Sequence, residues 1–193
     1  MSTTTVDPVE RLLDSADQGH MIIKNPNVLR HDYIPERILH RDKQQELVTQ
    51  SLIPLYKKSI PPNLLVYGKP GTGKTLVIKK VLNQIQNRVD KNSYRIKIVI
   101  TNAKEQSNLY NVLVDLGRQL GLKPKKTPDD KLWLPNTGLS ISEVFNRILY
   151  IIEKNKINSV FVIDEIDHLA KLVDKTGKDI LYSITRANLK LKN

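Results

Sequence analysis

Residues 67–80 read YGKPGTGKTLVIKK, with three glycines, a proline and a Lys-Thr pair between an apolar run and a helix-like segment. The stretch fits GxxxxGK[ST] with Gly68, Gly73, Lys74 and Thr75 at the fixed positions, and it lies after a strand-like run and before a helix, the context that gives the pattern meaning. Glycines at 68, 71 and 73 let the backbone curl so that successive N–H groups point inward, and the helix N-terminus adds partial positive charge. With Lys69, Pro70, Thr72 and Leu76 they form a cradle for the phosphates of a nucleoside triphosphate. Lys74 is placed to reach the β- and γ-phosphates and Thr75 to set its hydroxyl on Mg²⁺. The alternative is a glycine-rich turn of purely structural use.

Outward from this loop, three short apolar runs alternate with longer periodic segments, the signature of parallel strands crossed by helices. NLLVY (63–67) reads as the first strand, YRIKIVI (94–100) as the second and SVFVI (159–163) as the third, apolar enough to be buried on both faces. Helices are expected at 74–88, 105–121 and 140–154, the last with Val144, Ile148, Ile151 and Ile152 along one stripe, and a closing helix near 177–189. Upstream, Leu47, Leu52, Ile53 and Leu55 mark an amphipathic helix within 41–58, bent or ended near Pro54. Residues 1–20 form an acidic arm with a short helix, for which Asp7 is the cap, Pro8 the first helical residue and Glu10 the reciprocal partner. Residues 120–140 break the regularity with three prolines and the single tryptophan. A loop of that length in a compact domain is usually functional or disordered.

The third strand runs directly into two acids, SVFVIDEID. This puts Asp164 at the carboxyl edge of the sheet, where it can hold the magnesium's water shell opposite Thr75, and makes Glu165 the candidate base for an attacking water. An ordinary acidic helix start is the competing reading. Asn102, just after the second strand, can hydrogen-bond Glu165 and hold it from water, or can simply cap the next helix. The four histidines lack metal-ligand spacing.

Composition bounds the rest. The chain has 193 residues, 39% hydrophobic and 26% charged, which fits a globular protein. No run approaches the roughly 18 apolar residues of a membrane span, and the N-terminus does not resemble a secretory signal. Zero cysteines exclude disulfides, thiolate zinc sites and cysteine nucleophiles. The net charge of +11 favours phosphate-rich partners, against the alternative of a lysine-rich solvated surface. An intracellular protein without a membrane partner is expected.

GKPGTGKT followed by VFVIDEIDHL resembles the AAA+ ATPases. IIKNPNVLRHDYIPERILHRDKQ (22–44) and GLSISEVFNRILYIIEKN (138–155) narrow the resemblance to the archaeal replication-initiator family related to the eukaryotic origin recognition complex. It covers nearly everything from Ile22 onward. It implies an α/β P-loop NTPase fold, a parallel sheet flanked by helices, with residues 21–193 the N-terminal portion of the ATPase domain. Leu29, Tyr33, Ile34, Pro35 and Arg41 would line the adenine and ribose pocket. Residues 105–140 would include the family's extra helical motif that touches the duplex, with Lys123, Lys125 and Lys126 as phosphate contacts or as a solvated charge run. In the family's sheet order a fourth strand separates the first from the third, and this sequence does not carry that strand, the lid or the winged helix. The fold is therefore expected to be incomplete here.

The resemblance implies an ATP- and ADP-binding, magnesium-dependent switch that hydrolyses slowly and acts on origin double-stranded DNA in the cytoplasm, at the nucleoid. Other initiator subunits or paralogues and a replicative helicase are its implied partners. A clamp-loader or transposition-helper type of remodelling ATPase, and a nucleotide-stabilised DNA-binding scaffold without turnover, are the other two expectations.

Overall fold

The computed structural model describes residues 7–17, 23, 25–30, 33–57, 59–91, 95–126, 129–172, 182 and 184–187. Contacts divide the chain into two units, 1–38 and 39–193. In the first, α1 (Pro8–Asp17) starts as its sequence predicts: the Asp7 carboxylate accepts from the Val9 N–H at 2.8 Å, and proline takes the first helical position. Its apolar residues Val9, Leu12 and Leu13 are exposed. A 3₁₀ turn at Pro26–Leu29 is capped by Asn25, whose side chain accepts from the Asn27 N–H.

In the second unit α2 (Asp42–Leu52) passes into a 3₁₀ turn at Ile53–Lys57. The change falls at Pro54, which has no N–H to continue the α-helical ladder. The phosphate loop leads into α3 (Lys74–Lys91). Val48, Leu52 and Leu55 pack with Val81, Leu82, Ile85 and Val89, so α2 and α3 share one buried seam. Next come β1 (Ile96–Asn102), α4 (Ala103–Gln106), α5 (Leu109–Leu120), α6 (Ile141–Asn155), β2 (Asn158–Asp164) and α7 (Ile166–Leu172).

The two strands pair in parallel, in register from Ile96↔Asn158 to Asn102↔Asp164. Period-two alternation gives the sheet two apolar faces: Ile96, Ile98, Ile100, Val160 and Val162 join the α2/α3 seam, while Val99, Phe161 and Ile163 join α5 and α6. The result is a parallel sheet between helical layers. On the outer side of β1 the Gln119 carboxamide imitates a neighbouring strand, accepting from the Ile100 N–H at 3.1 Å and donating to the Ile100 carbonyl at 2.8 Å.

Two expectations change. The helix foreseen at 105–121 is two helices, because Ser107 adopts a left-handed conformation (φ 66°) and Asn108 caps α5 by accepting from the Asn111 N–H at 2.8 Å. The strand foreseen at 63–67 is not hydrogen-bonded into the sheet, and Leu65 and Tyr67 are 72% and 87% exposed. A strand needs a neighbour for its N–H and C=O groups, and among the described residues none lies beside this segment. Among the described residues only Asn63 of this segment is tied down, donating to the Thr185 carbonyl at 2.8 Å. The helix foreseen near 177–189 lies largely outside the described residues, although Ile184 and Ala187 pack on the α5/α6 core.

The irregular stretch after α5 is folded. Lys123 and Trp133 form a bridge, with N–H···O distances of 2.8 Å to Leu132 and 2.7 Å from Leu134. Leu134 is fully buried. It packs so close to α5 that a Cβ on Gly117 would lie 2.8 Å from Leu134 Cδ2 and 2.9 Å from Leu122 Cδ1, so any side chain there would have to displace those methyls. Among the described residues no helix is long and apolar enough to cross a membrane.

Candidate nucleotide site

The loop between Tyr67 and α3 owes its shape to three glycines in the left-handed region, Gly68 (φ 151°), Gly71 (φ 75°) and Gly73 (φ 81°), where side chains are rarely tolerated. Its carbonyls are held from the side. Lys74 Nζ donates to the carbonyls of Gly68 and Lys69, both at 3.0 Å, and Thr72 Oγ1 donates to Lys69 O at 2.9 Å. Arg41 Nη2 donates to Thr72 O at 3.0 Å, across 31 residues of sequence. Among the described residues no protein group accepts from the N–H groups of Gly71, Thr72 and Gly73. Lys74 opens α3, whose first-turn N–H groups have no intrahelical partner. Acceptors fixed and donors left open make an anion cradle.

Thr75 in the first turn of α3 and Asp164 at the end of β2 meet: Thr75 Oγ1 donates to Asp164 Oδ2 at 2.9 Å, over a sequence distance of 89 residues. The other carboxylate oxygen, Oδ1, accepts from the Glu165 N–H at 3.0 Å. Glu165 itself sits at φ 52°, a conformation unusual for a side-chain-bearing residue, and its exposed carboxylate follows directly on the Thr75–Asp164 pair. The left-handed turn lets the chain leave β2 and start α7 at once. Asn102 faces Asp164 in the strand register, and its Oδ1 caps α4, accepting from Lys104 N at 2.9 Å and Glu105 N at 3.3 Å. Its Nδ2 is therefore the group left to reach a carboxylate.

Leu29, Tyr33, Ile34 and Pro35 belong to the unit 1–38, with Leu29 exposed at the end of its 3₁₀ turn and Ile34 and Pro35 half-buried. Arg41 belongs to the unit 39–193 and donates to the phosphate loop. Lys123, Lys125 and Lys126 are all exposed beside the Trp133 bridge. Beneath them sits a cluster that the sequence did not signal. Arg147 donates to the carbonyls of Asp130 and Trp133 and pairs with Glu143 at 2.8 Å. Asp129 accepts from Tyr150 Oη at 2.9 Å and Lys154 Nζ at 2.5 Å. The Lys154 and Tyr150 hydrogen bonds hold the Asp129 carboxyl below its ordinary value, and Asp129 raises Lys154 in return.

A family model described as "AAA domain" matches residues 60–191. The chain belongs to the AAA domain family. It is 55% identical over 189 residues to the ORC1-type DNA replication protein of Cenarchaeum symbiosum, covering 98% of this chain and 44% of that protein. It is 32% identical over 184 residues to the ORC1-type DNA replication protein of Pyrococcus abyssi, covering 95% and 42% respectively. The solved structure of the Aeropyrum pernix ORC1 protein in complex with DNA superposes with a TM-score of 0.75 at 32% identity, over 85% of this chain and 40% of that one. The chain thus spans less than half the length of these relatives.

A AAA domain implies a nucleotide and, with it, magnesium, and the residues present fit both. The open N–H groups and Lys74 suit phosphate oxygens. Thr75 and Asp164 bring two hard oxygens together at the cradle's edge, the ligand type magnesium takes with several of its waters retained.

Proposed function

We propose that this AAA domain binds ATP and ADP with Mg²⁺ and serves a DNA replication initiator as a slowly hydrolysing, nucleotide-dependent switch on origin double-stranded DNA. The observation that carries the reading is the Thr75–Asp164 hydrogen bond, which joins the phosphate loop to the acidic end of β2. In this reading Gly68 to Leu76 cradle the phosphates and Lys74 exchanges its bonds to Gly68 and Lys69 for the β- and γ-phosphates. Thr75 and Asp164 hold the metal and its water shell. Magnesium, when bound, neutralises charge on the β- and γ-oxygens. Glu165 orients and deprotonates the attacking water, and Asn102 Nδ2 restrains Glu165 until a partner or DNA releases it.

Hydrolysis is slow because the charge-stabilising arginine, worth about 10³ to 10⁵ in rate in related chemistry, comes from outside the described residues. Leu29, Tyr33, Ile34 and Pro35 contact adenine and ribose. Lys123, Lys125 and Lys126 contact DNA phosphates, other initiator subunits or paralogues and a replicative helicase are partners, and the protein works in the cytoplasm, at the nucleoid. The support for the DNA side is the similarity to ORC1-type proteins, one of them solved with DNA, together with a net charge of +11.

Lys74→Ala tests the core of this reading. Nucleotide affinity measured by calorimetry is expected to fall roughly a hundredfold, the scale of losing a charge-assisted contact. Unchanged affinity removes the loop assignment. Rapid turnover by the protein alone favours a remodelling ATPase instead, and binding to origin and arbitrary duplex with equal affinity at matched salt removes the initiator reading.

A further inference from the structure

We propose that Arg41 is a positioning residue of the phosphate loop, holding the Thr72–Gly73 peptide so that the Gly73 N–H faces the phosphates. The proposal rests on the ATP-binding reading above and gives Arg41 a role distinct from contact with base or ribose.

In a trans peptide the carbonyl of one residue and the N–H of the next point in opposite directions. Arg41 Nη2 takes the Thr72 carbonyl at 3.0 Å from the α2 side, which turns the Gly73 N–H to the other side. That peptide needs an external hold. Gly73 sits at φ 81°, where glycine has no steric preference for one hand over the other, so without a fixed carbonyl the plane samples both orientations. The loop's other carbonyl bonds do not serve the purpose. Lys69 O is taken by Thr72 Oγ1 and Lys74 Nζ, but the next residue is Pro70, which has no N–H to aim. Gly68 O is taken by Lys74, the side chain that leaves for the phosphates on binding. Among the described residues Arg41 alone grips the loop from outside the cradle.

The grip is mechanically supported. Arg41 is the residue immediately before α2, and its carbonyl accepts the Gln45 N–H at 3.0 Å, so its backbone belongs to the helix start. Through Val48 and Leu52, α2 is packed on Val81, Leu82 and Ile85 of α3, the helix that the loop feeds. The guanidinium and the peptide it holds are thus referenced to one packed pair of helices. A guanidinium suits the task because it stays charged and presents a rigid fork of donors.

The test compares ATP with inorganic triphosphate, which has phosphates but neither base nor ribose. For Arg41→Ala, affinity for both is expected to fall by a similar factor, about tenfold, the scale of one hydrogen bond from a charged donor. The ¹⁵N order parameter of Gly73 in nucleotide-free protein is expected to fall, because the peptide then samples both orientations. A fall for ATP with unchanged triphosphate affinity places Arg41 on the base or ribose and overturns the proposal, as does no change for either. Arg41→Lys keeps the charge but not the fork. It is expected to fold with the parent's melting temperature and to lose part of the affinity for both ligands equally, so it reads the same question if the alanine variant is unstable. Lys74→Ala is the companion arm. If it leaves triphosphate affinity intact, the phosphate-loop reading fails, and if it abolishes binding while Arg41→Ala and Arg41→Lys do not weaken it, only the positioning role fails.

Discussion

The two irregular stretches, 68–73 and 121–140, solve opposite problems with the same backbone. In the first, among the described residues, every side-chain bond goes to a carbonyl, from Lys74, Thr72 and Arg41, and the N–H groups of Gly71, Thr72 and Gly73 are left without a protein acceptor. In the second, both backbone polarities are engaged, Lys123 by Leu132 and Leu134, the Asp130 and Trp133 carbonyls by Arg147, and a fully buried Leu134 pins the stretch to α5. Unsatisfied donors cost free energy unless water or a ligand takes them, so a loop that keeps them is built to bind, whereas one that satisfies them is built to stay. The difference teaches that irregularity itself says nothing about function. Which backbone groups remain open does.

Substitutions that separate binding from staying sharpen this contrast. The largest effect is expected from Glu165→Gln, which retains ATP affinity and loses turnover by about 10² to 10⁴, the usual worth of a general base. Single-turnover hydrolysis with a parallel binding isotherm measures it, and surviving turnover moves the base elsewhere. Next is Leu134→Ala, which removes a fully buried side chain and is expected to cost about 2–5 kcal/mol of unfolding free energy while nucleotide affinity holds. A parallel loss of affinity would mean the two stretches are coupled after all. Gly117→Ala is expected to destabilise by about 1–3 kcal/mol, because its Cβ would press on Leu134 and Leu122. Denaturant melts of Leu134→Ala and Gly117→Ala order these two effects.

The sequence made the glycine-rich loop pattern legible and left the other stretch opaque, for a physical reason. A phosphate cradle requires glycines and a Lys-Thr pair at fixed local spacing, so its chemistry is written in eight consecutive residues. The clamp on 121–140 draws on Gly117, Asp129, Leu134, Arg147, Tyr150 and Lys154, which meet only after α5 and α6 pack. The paired strands were readable from apolar runs, and the parallel crossover from their alternation. The first run, 63–67, had the composition of a strand but not the neighbour that makes one, and composition cannot report a neighbour. Arg41 shows the middle case. Its position was singled out, while its contact with Thr72 depends on how α2 lies against α3, which the local pattern does not encode.

The smallest expected effect, and the most local, concerns pH. Asp129 is held below its ordinary value by hydrogen bonds from Lys154 and Tyr150, so the ionised carboxylate is favoured in the folded protein relative to the unfolded chain. A depressed carboxyl contributes its stabilisation fully above the unfolded value of about 3.9 and loses it as pH falls through the folded value. Lys154, raised by the same contact, stays protonated throughout that window and does not offset the loss. Acidification below about pH 4 should therefore loosen 121–140 before the α2/α3 seam, since Asp129 tethers that stretch to α6. Trp133 is the chain's single tryptophan and lies in the stretch itself, its indole N–H donating to the Pro124 carbonyl at 3.1 Å, so its emission reads the event directly. In Asp129→Asn the acid transition of Trp133 should flatten, because the group that titrates is gone. A transition of unchanged midpoint and amplitude in that variant would assign the acid sensitivity to other carboxylates and leave the clamp resting on Arg147 and Leu134.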